Sequence, residues 1–101
     1  MKTNYMAYVQ KLKDGETVAF RPRGNSMLPR IKSGQLLTIA PVPLDELKKG
    51  DVVFCKVKGR FFTHLLSAVQ GDRFQISNNK GHVNGWIGAN GIFGKVIKVE
   101  D

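Results

Sequence analysis

The sequence has little cysteine, little proline and no long hydrophobic run. Its 101 residues include one Cys and four Pro. A single thiol, Cys55, excludes an internal disulfide framework and a cysteine-based zinc site. No segment approaches the ~20 apolar residues of a membrane-spanning helix, and the first residues lead into no apolar stretch typical of a signal peptide. We therefore expect a soluble, cytoplasmic protein that forms a single domain over residues 1–101.

Acidic residues are also scarce relative to basic ones. Sixteen Lys and Arg against eight Asp and Glu give a formal net charge of +8. An excess of this size favours approach to nucleic acid or to another anionic partner, although it is equally typical of a solvated basic surface. No block of five or six like charges forms a tail. The densest basic group surrounds one short polar segment and consists of Arg21, Arg23, Arg30 and Lys32.

The spacing of the apolar residues predicts one short helix followed by short strands. A helix is expected over residues 3–13, with a turn at Asp14-Gly15 closing an N-terminal unit of residues 1–15. Strands are expected at 18–23, 35–40, 51–58, 60–69, 73–77 and 93–99, with a helical turn at 44–50 and a long loop at 78–91. Gly94 is predicted to mark a bulge. The predicted fold is mainly β, a compact and mostly antiparallel domain over residues 18–99.

The segment between the first two predicted strands holds a candidate nucleophile. Ser26 follows Gly24 on a bend, where a hydroxyl can point outward and nearby backbone N–H groups can bind an oxyanion. A serine in a turn rich in Gly and Pro is also commonplace, so these residues alone leave a purely structural role open.

Four short motifs, in order along the chain, strengthen the catalytic interpretation. They are Gly24-x-Ser26-Met27-x-Pro29-x-Ile31-x-x-Gly34, Leu47-x-x-Gly50-Asp51-Val52-Val53, Thr63-His64-Leu65 and Gly94-Lys95-Val96. Together they resemble the signal-peptidase and LexA-repressor clan of serine peptidases over about residues 18–99. The resemblance implies a small, mostly antiparallel β-domain, in agreement with the strand pattern.

The resemblance also implies roles for individual residues. Ser26 would be the nucleophile, His64 the general base, and the backbone N–H groups of Asn25 and Ser26 the oxyanion donors. The supporting residues would be Gly24, Met27, Pro29 and Asn84. Asn84 stands nearest the position where members with a histidine base carry Asp. Because an amide can fix an imidazole tautomer but cannot stabilise imidazolium as a carboxylate does, catalysis is expected to be weak or absent.

Two functions from different classes therefore remain open beside the peptidase. One is an inactive peptidase-fold module, of the kind plausible in phages and mobile elements, that binds a protein partner. The other is a nucleic-acid-binding domain that uses its basic and aromatic residues. The expected partner of the peptidase is an extended peptide segment, and no cofactor or metal is expected. The oligomeric state is not predicted.

Single residues also have alternative interpretations. A lone histidine on a strand, such as His64, is often structural, and His82 is a second candidate for the base. The two histidines lack a placed carboxylate for a metal site. Trp86, in a stretch rich in Gly, is predicted to rim a cleft or a partner surface.

Overall fold

The computed structural model describes residues 4–101, which form one short helix and an antiparallel sheet. Helix α1 covers Tyr5–Lys13. Within the described residues the strands are β1 (Val18–Phe20), β2 (Leu36–Ala40), β3 (Val52–Val57), β4 (Arg60–Gln70), β5 (Arg73–Ser77), β6 (Val83–Ile87) and β7 (Ile92–Glu100). Short 3-10 turns occupy Leu44–Glu46 and Ala89–Gly91. The prediction of a mostly antiparallel β fold with a short N-terminal helix is confirmed.

The seven strands share one sheet in the order β1-β2-β7-β3-β4-β5-β6. Each neighbouring pair is antiparallel, and the last strand of the chain, β7, lies between β2 and β3. The register of β7 against β3 shifts beside Gly94, as predicted. A side chain at this glycine would place its Cβ 2.8 Å from the carbonyl oxygen of Ala40, so the close strand approach requires Gly.

Helix α1 forms because its start is capped and one face is apolar. The side chain of Asn4 accepts a hydrogen bond from the Ala7 N–H, and the buried residues are Val9 and Leu12. The helix ends at Lys13 with Asp14 as its C-cap, and Gly15 adopts φ +87°. The predicted start at Thr3 lies outside the described residues. None of the helices in residues 4–101 is long and apolar enough to cross a membrane.

The core surrounds β3, the central strand of the sheet. Val53, Phe54 and Cys55 are fully buried, because this strand is covered on both faces. On one face Phe54 packs against α1 and β1, and on the other Val53 and Cys55 pack against β4 and β5. Strand β4 is hydrogen-bonded to β3 along residues 60–65, so its first half is held at a fixed position beside the core.

Two of the four motifs meet at a structural ion pair. Asp51 is 8% exposed; its carboxylate lies 3.3 Å from the Lys95 ammonium and accepts a hydrogen bond from the Lys48 N–H at 3.0 Å. Both carboxylate oxygens therefore have partners, which offsets the cost of burying the charge. These motif residues join the start of β3 to β7.

Several predicted boundaries are wrong. Residues 78–91 are not one long loop, because they contain β6 and a 3-10 turn. Asn84 and Gly85 interrupt the apolar alternation, but backbone pairing with β5 makes the segment a strand. The strand expected over 18–23 ends at Phe20, before Pro22, which has no N–H to donate. The helical turn expected over 44–50 is limited to Leu44–Glu46.

Candidate active site

Ser26 lies in a compact loop that joins β1 to β2. The Leu28 N–H donates to the Asn25 carbonyl at 3.2 Å, and the Ile31 N–H donates to the Met27 carbonyl at 3.0 Å. Met27 and Ile31 are buried, whereas Ser26 is half-buried. The buried side chains of Met27 and Ile31 thus anchor the loop, and the Ser26 hydroxyl remains accessible.

A second segment holds this loop from outside. The Asn79 N–H donates to the Ser26 carbonyl at 3.0 Å, and Asn79 Nδ2 donates to the Leu28 carbonyl at 2.9 Å. Because both carbonyls belong to the turn that carries the serine, Asn79 fixes the loop against the end of β5. This contact was not predicted; the polar stretch that follows β5 was its one sequence signal.

The Ser26 hydroxyl contacts the imidazole of His64. Ser26 Oγ lies 2.9 Å from His64 Nε2, within the reach required of a nucleophile and its base. His64 is on β4, opposite Val53, and is 7% exposed. Its ring packs on the Phe62 ring, with the centroids 4.5 Å apart. The two side chains predicted to form a dyad are therefore brought together by a loop and a central strand.

Asn84 completes a line of three side chains. His64 Nδ1 lies 2.8 Å from Asn84 Oδ1, which projects from β6. An amide oxygen only accepts hydrogen bonds, so the proton of the neutral ring is on Nδ1. Nε2 is then free to accept the proton of the Ser26 hydroxyl. Strand β6, which the sequence predicted to be part of a loop, thus supplies the hydrogen-bond partner of the imidazole.

Burial lowers the pKa of His64 below its ordinary value of 6.5. The hydrogen bond that His64 donates to Asn84 acts in the opposite direction, and the Coulombic interaction with His82 lowers the pKa of His64 further. The loss of hydration dominates because it disfavours the imidazolium form. At pH 7 the ring is accordingly neutral, which is the form that can accept a proton from a hydroxyl.

Backbone N–H groups are available beside the serine. Within residues 4–101, no backbone acceptor takes the N–H of Asn25 or of Ser26. Gly24, with φ +122°, lets the chain turn just before them, and its own N–H donates to Ser33 Oγ at 3.0 Å. The role of these two N–H groups as oxyanion donors stays a prediction.

A cleft of about 370 Å³ runs past Ser26 and His64. Residues 60–64, the first half of β4, line one side, and residues 22–24 line the other. The half-buried rings of Phe61 and Phe62 contribute apolar surface, and Asn78 and Asn84 contribute amides. Pairing between β4 and β5 begins only at Leu65, so in the described structure residues 60–64 have no strand neighbour on their outer edge. The cleft thus offers a free strand edge next to the hydroxyl.

The remaining predicted residues are divided between the cleft and other surfaces. Arg23 and Lys32 line the cleft, whereas Arg21 donates to the Gly34 carbonyl at 2.8 Å and Arg30 to the Gly50 carbonyl at 3.0 Å. The four cations therefore do not form one continuous patch. Pro29 follows Leu28 through a cis peptide bond and is exposed.

Other candidates lie outside the cleft. His82 is exposed in the loop before β6, and Trp86 is 39% exposed on β6; neither lines the cleft. The alternative that Trp86 rims a partner surface stays a prediction. No three His, Cys, Asp or Glu side chains among residues 4–101 come close enough to hold a metal ion. Cys55 is buried, and desolvation raises its pKa to about 12.

One family model matches almost the whole chain. The family is described as Peptidase S24-like, and the match covers residues 2–97. None of the curated proteins compared with the chain matches it. The family match spans all four motifs and the entire sheet except the end of β7, and it confirms the resemblance to the LexA and signal-peptidase clan. The chain belongs to the Peptidase S24-like family.

Proposed function

We propose that this member of the family is a serine endopeptidase that uses Ser26, His64 and Asn84. The observation that carries the proposal is the continuous line of hydrogen bonds from Ser26 Oγ to His64 Nε2 and from His64 Nδ1 to Asn84 Oδ1, at 2.9 and 2.8 Å. A nucleophile, a base within reach and a third group that orients the base are the recurrent parts of acyl-transfer sites.

The reaction begins with the transfer of the Ser26 proton to His64. Ser26 Oγ attacks the carbonyl carbon of the scissile peptide bond while Nε2 takes the hydroxyl proton. The N–H groups of Asn25 and Ser26 stabilise the negative oxygen of the tetrahedral intermediate. The imidazolium then returns its proton to the leaving amine, and the C–N bond breaks. Water, deprotonated by His64, hydrolyses the acyl-enzyme and frees Ser26.

The substrate binds as an extended segment beside β4. Residues 60–64 have free backbone groups on their outer edge, and an added strand can pair with them. Such a strand brings a peptide carbonyl next to Ser26, with alternate side chains pointing into the cleft. A small apolar side chain suits the half-buried rings of Phe61 and Phe62, which line the cleft.

Cleavage profiling of a proteome-derived peptide library by mass spectrometry tests the proposal. We expect products from the wild type at pH 6–9 and none from Ser26→Ala or His64→Ala. Ser67→Ala and His82→Ala are matched controls, because neither residue lines the cleft, and both should keep the activity. Products that persist in Ser26→Ala would rule out this nucleophile. Loss in His82→Ala with retention in His64→Ala would assign the base to His82.

The amide at Asn84 favours a second candidate, a non-catalytic module that binds a protein segment in the same cleft. An amide at this position lacks the negative charge with which a carboxylate would stabilise the imidazolium of His64 during catalysis. This candidate predicts no products from any variant, and a partner affinity that Ser26→Ala changes by less than about threefold. If Ser26→Ala reduced the partner affinity by much more than threefold, as the loss of a polar anchor would, the binding-module candidate would be contradicted.

A further inference from the structure

Three cations line the cleft beside Ser26. Arg23 and Lys32 line it on the side of the serine loop, and Arg60 lines it at the start of β4. No Asp or Glu in the described range 4–101 lines the cleft. All three cations are exposed, and neither ion pair found in that range involves any of them. Their charge is therefore presented to whatever occupies the cleft.

The position of Arg60 relative to the hydroxyl sets a distance along the bound segment. His64 and Arg60 are four residues apart on one extended strand, which corresponds to about 13 Å. The guanidinium of Arg60 lies over the Phe62 ring, 5.8 Å from its centroid. Because alternate residues of a strand share one face, this charge lies on the face of β4 that carries His64. Beyond His64 the edge is closed by β5, from Leu65 onward. A segment paired with residues 60–64 thus extends from the scissile bond toward Arg60.

We propose that the cleft selects acidic peptide segments, in which Asp or Glu side chains within about four residues of the scissile bond contact Arg60, Lys32 and Arg23. This inference rests on the proposed peptidase function, because the bond position is defined by Ser26. Opposite charges across an interface speed encounter and reject partners of the wrong sign. The cleft contains no carboxylate that would attract a basic segment.

A peptide fits the cleft better than a nucleic acid does. Single-stranded nucleic acids need exposed rings on which bases stack. Five aromatic rings line the cleft, and none is fully exposed: Phe20 and Phe54 are buried, and the other three are half-buried (Tyr5, Phe61 and Phe62). The exposed Trp86 lies outside the cleft. The free edge of residues 60–64 instead presents N–H and C=O groups that match an extended peptide backbone.

Binding measurements with matched peptides test the inference without cleavage. The probes are two 12-residue peptides of Ala, Gly, Ser and Thr that carry the same uncharged fluorophore. One has two Asp residues on one side of a central Ala, and the other has Asn at the same positions. Fluorescence anisotropy measures their binding to the Ser26→Ala protein. We expect the Asp peptide to bind about 5- to 20-fold more tightly at low salt, since each exposed charge pair contributes up to about fivefold. The difference should shrink at 0.5 M salt.

Charge-neutralising variants locate the effect. Arg60→Gln and Lys32→Gln should each reduce the Asp-peptide preference by about two- to fivefold, whereas Lys49→Gln, an exposed lysine outside the cleft, should leave it unchanged. Equal binding of the two peptides, or an equal loss in Lys49→Gln, overturns the inference. So does a 12-nucleotide single strand that binds more tightly than the Asp peptide and loses affinity in Arg60→Gln.

Cleavage of the same peptides separates this inference from the proposed function. If the wild type cleaves the Asp and Asn peptides with the same kcat/KM, the peptidase stands and the acidic preference is wrong. If the Asp peptide binds preferentially and neither is cleaved, the acidic preference stands and the endopeptidase is wrong. If the peptidase function and the acidic preference are both correct, the wild type cleaves the Asp peptide in preference to the Asn peptide.

Discussion

Replacing Asn84 by Asp tests whether the third residue of the line controls the base. The carboxylate would occupy the position of the amide, where Oδ1 lies 2.8 Å from His64 Nδ1. An opposite charge at this range favours imidazolium and raises the pKa of a histidine by about 1–3 units. In the wild type, burial keeps the pKa of His64 below 6.5, so the acid limb of the pH profile should lie below that value. In Asn84→Asp it should move upward by about 1–3 units.

The rate above the acid limb should change in the opposite sense. Imidazolium forms during attack, and each unit of pKa corresponds to about 1.4 kcal/mol of stabilisation, or up to about tenfold in rate. The variant should therefore be slower than the wild type near pH 6 and faster near pH 9, so that the two profiles cross.

The assay is kcat/KM between pH 5 and 9.5 on one cleaved peptide, together with NMR titration of the His64 ring in a Ser26→Ala background. Asn78→Asp is the matched control. It adds the same charge to the lining of the cleft but makes no hydrogen bond to the imidazole, so the pKa should rise by less. An unchanged ring titration in Asn84→Asp, or an equal shift in both variants, would refute the argument.

Three further predictions concern stability and reactivity. Gly94→Ala should lower the free energy of unfolding by about 1–3 kcal/mol in urea titrations, because the new Cβ would lie 2.8 Å from the Ala40 oxygen. Gly88→Ala is the control: a Cβ there meets open space, so the free energy of unfolding should hardly change, and equal effects of the two substitutions would contradict the argument. Cys55, whose pKa is raised to about 12, should not react with an aromatic disulfide reagent at pH 8 until urea unfolds the protein, and rapid native labelling would show that it is not buried. Because the pKa of His64 is lowered in the folded state, the unfolded chain binds more protons just below pH 6.5. The free energy of unfolding should therefore decrease there as the pH falls, by at most about 1.4 kcal/mol per pH unit, and His64→Gln should remove this dependence. An unchanged pH dependence in His64→Gln would contradict the assignment.

The sequence predicted the parts of the fold that follow from local pattern. Strands β3, β4 and β5 have apolar runs bounded by turns, and their observed bounds lie within one residue of those expected. The helix ends where Asp14 and Gly15 follow a run with an apolar face, as predicted. Ser26 and His64 could be paired because their motifs carry a family resemblance, although 38 residues separate them.

The other parts of the fold and of the candidate site depend on contacts between residues far apart in the sequence, which local patterns do not encode. Strand β6 contains Asn84 and Gly85, which disfavour a strand, and it forms because the edge of β5 is available for pairing. For the same reason the roles of Asn79 in holding the serine loop and of residues 60–64 as a free edge could not be predicted. The sequence showed a group of four cations, but the fold directs Arg21 and Arg30 to backbone carbonyls and brings Arg60 to the cleft instead.

The most direct test of the account is to trap the acyl-enzyme. An activated ester of a cleaved peptide would be mixed with the protein, quenched in acid within seconds and measured by intact mass and tandem mass spectrometry. We predict one added acyl group on Ser26, a burst of the leaving group equal to the protein concentration, and neither signal in Ser26→Ala. An acyl group on another residue, or turnover of the peptide itself with full activity in Ser26→Ala, would contradict the assignment of Ser26 as the nucleophile.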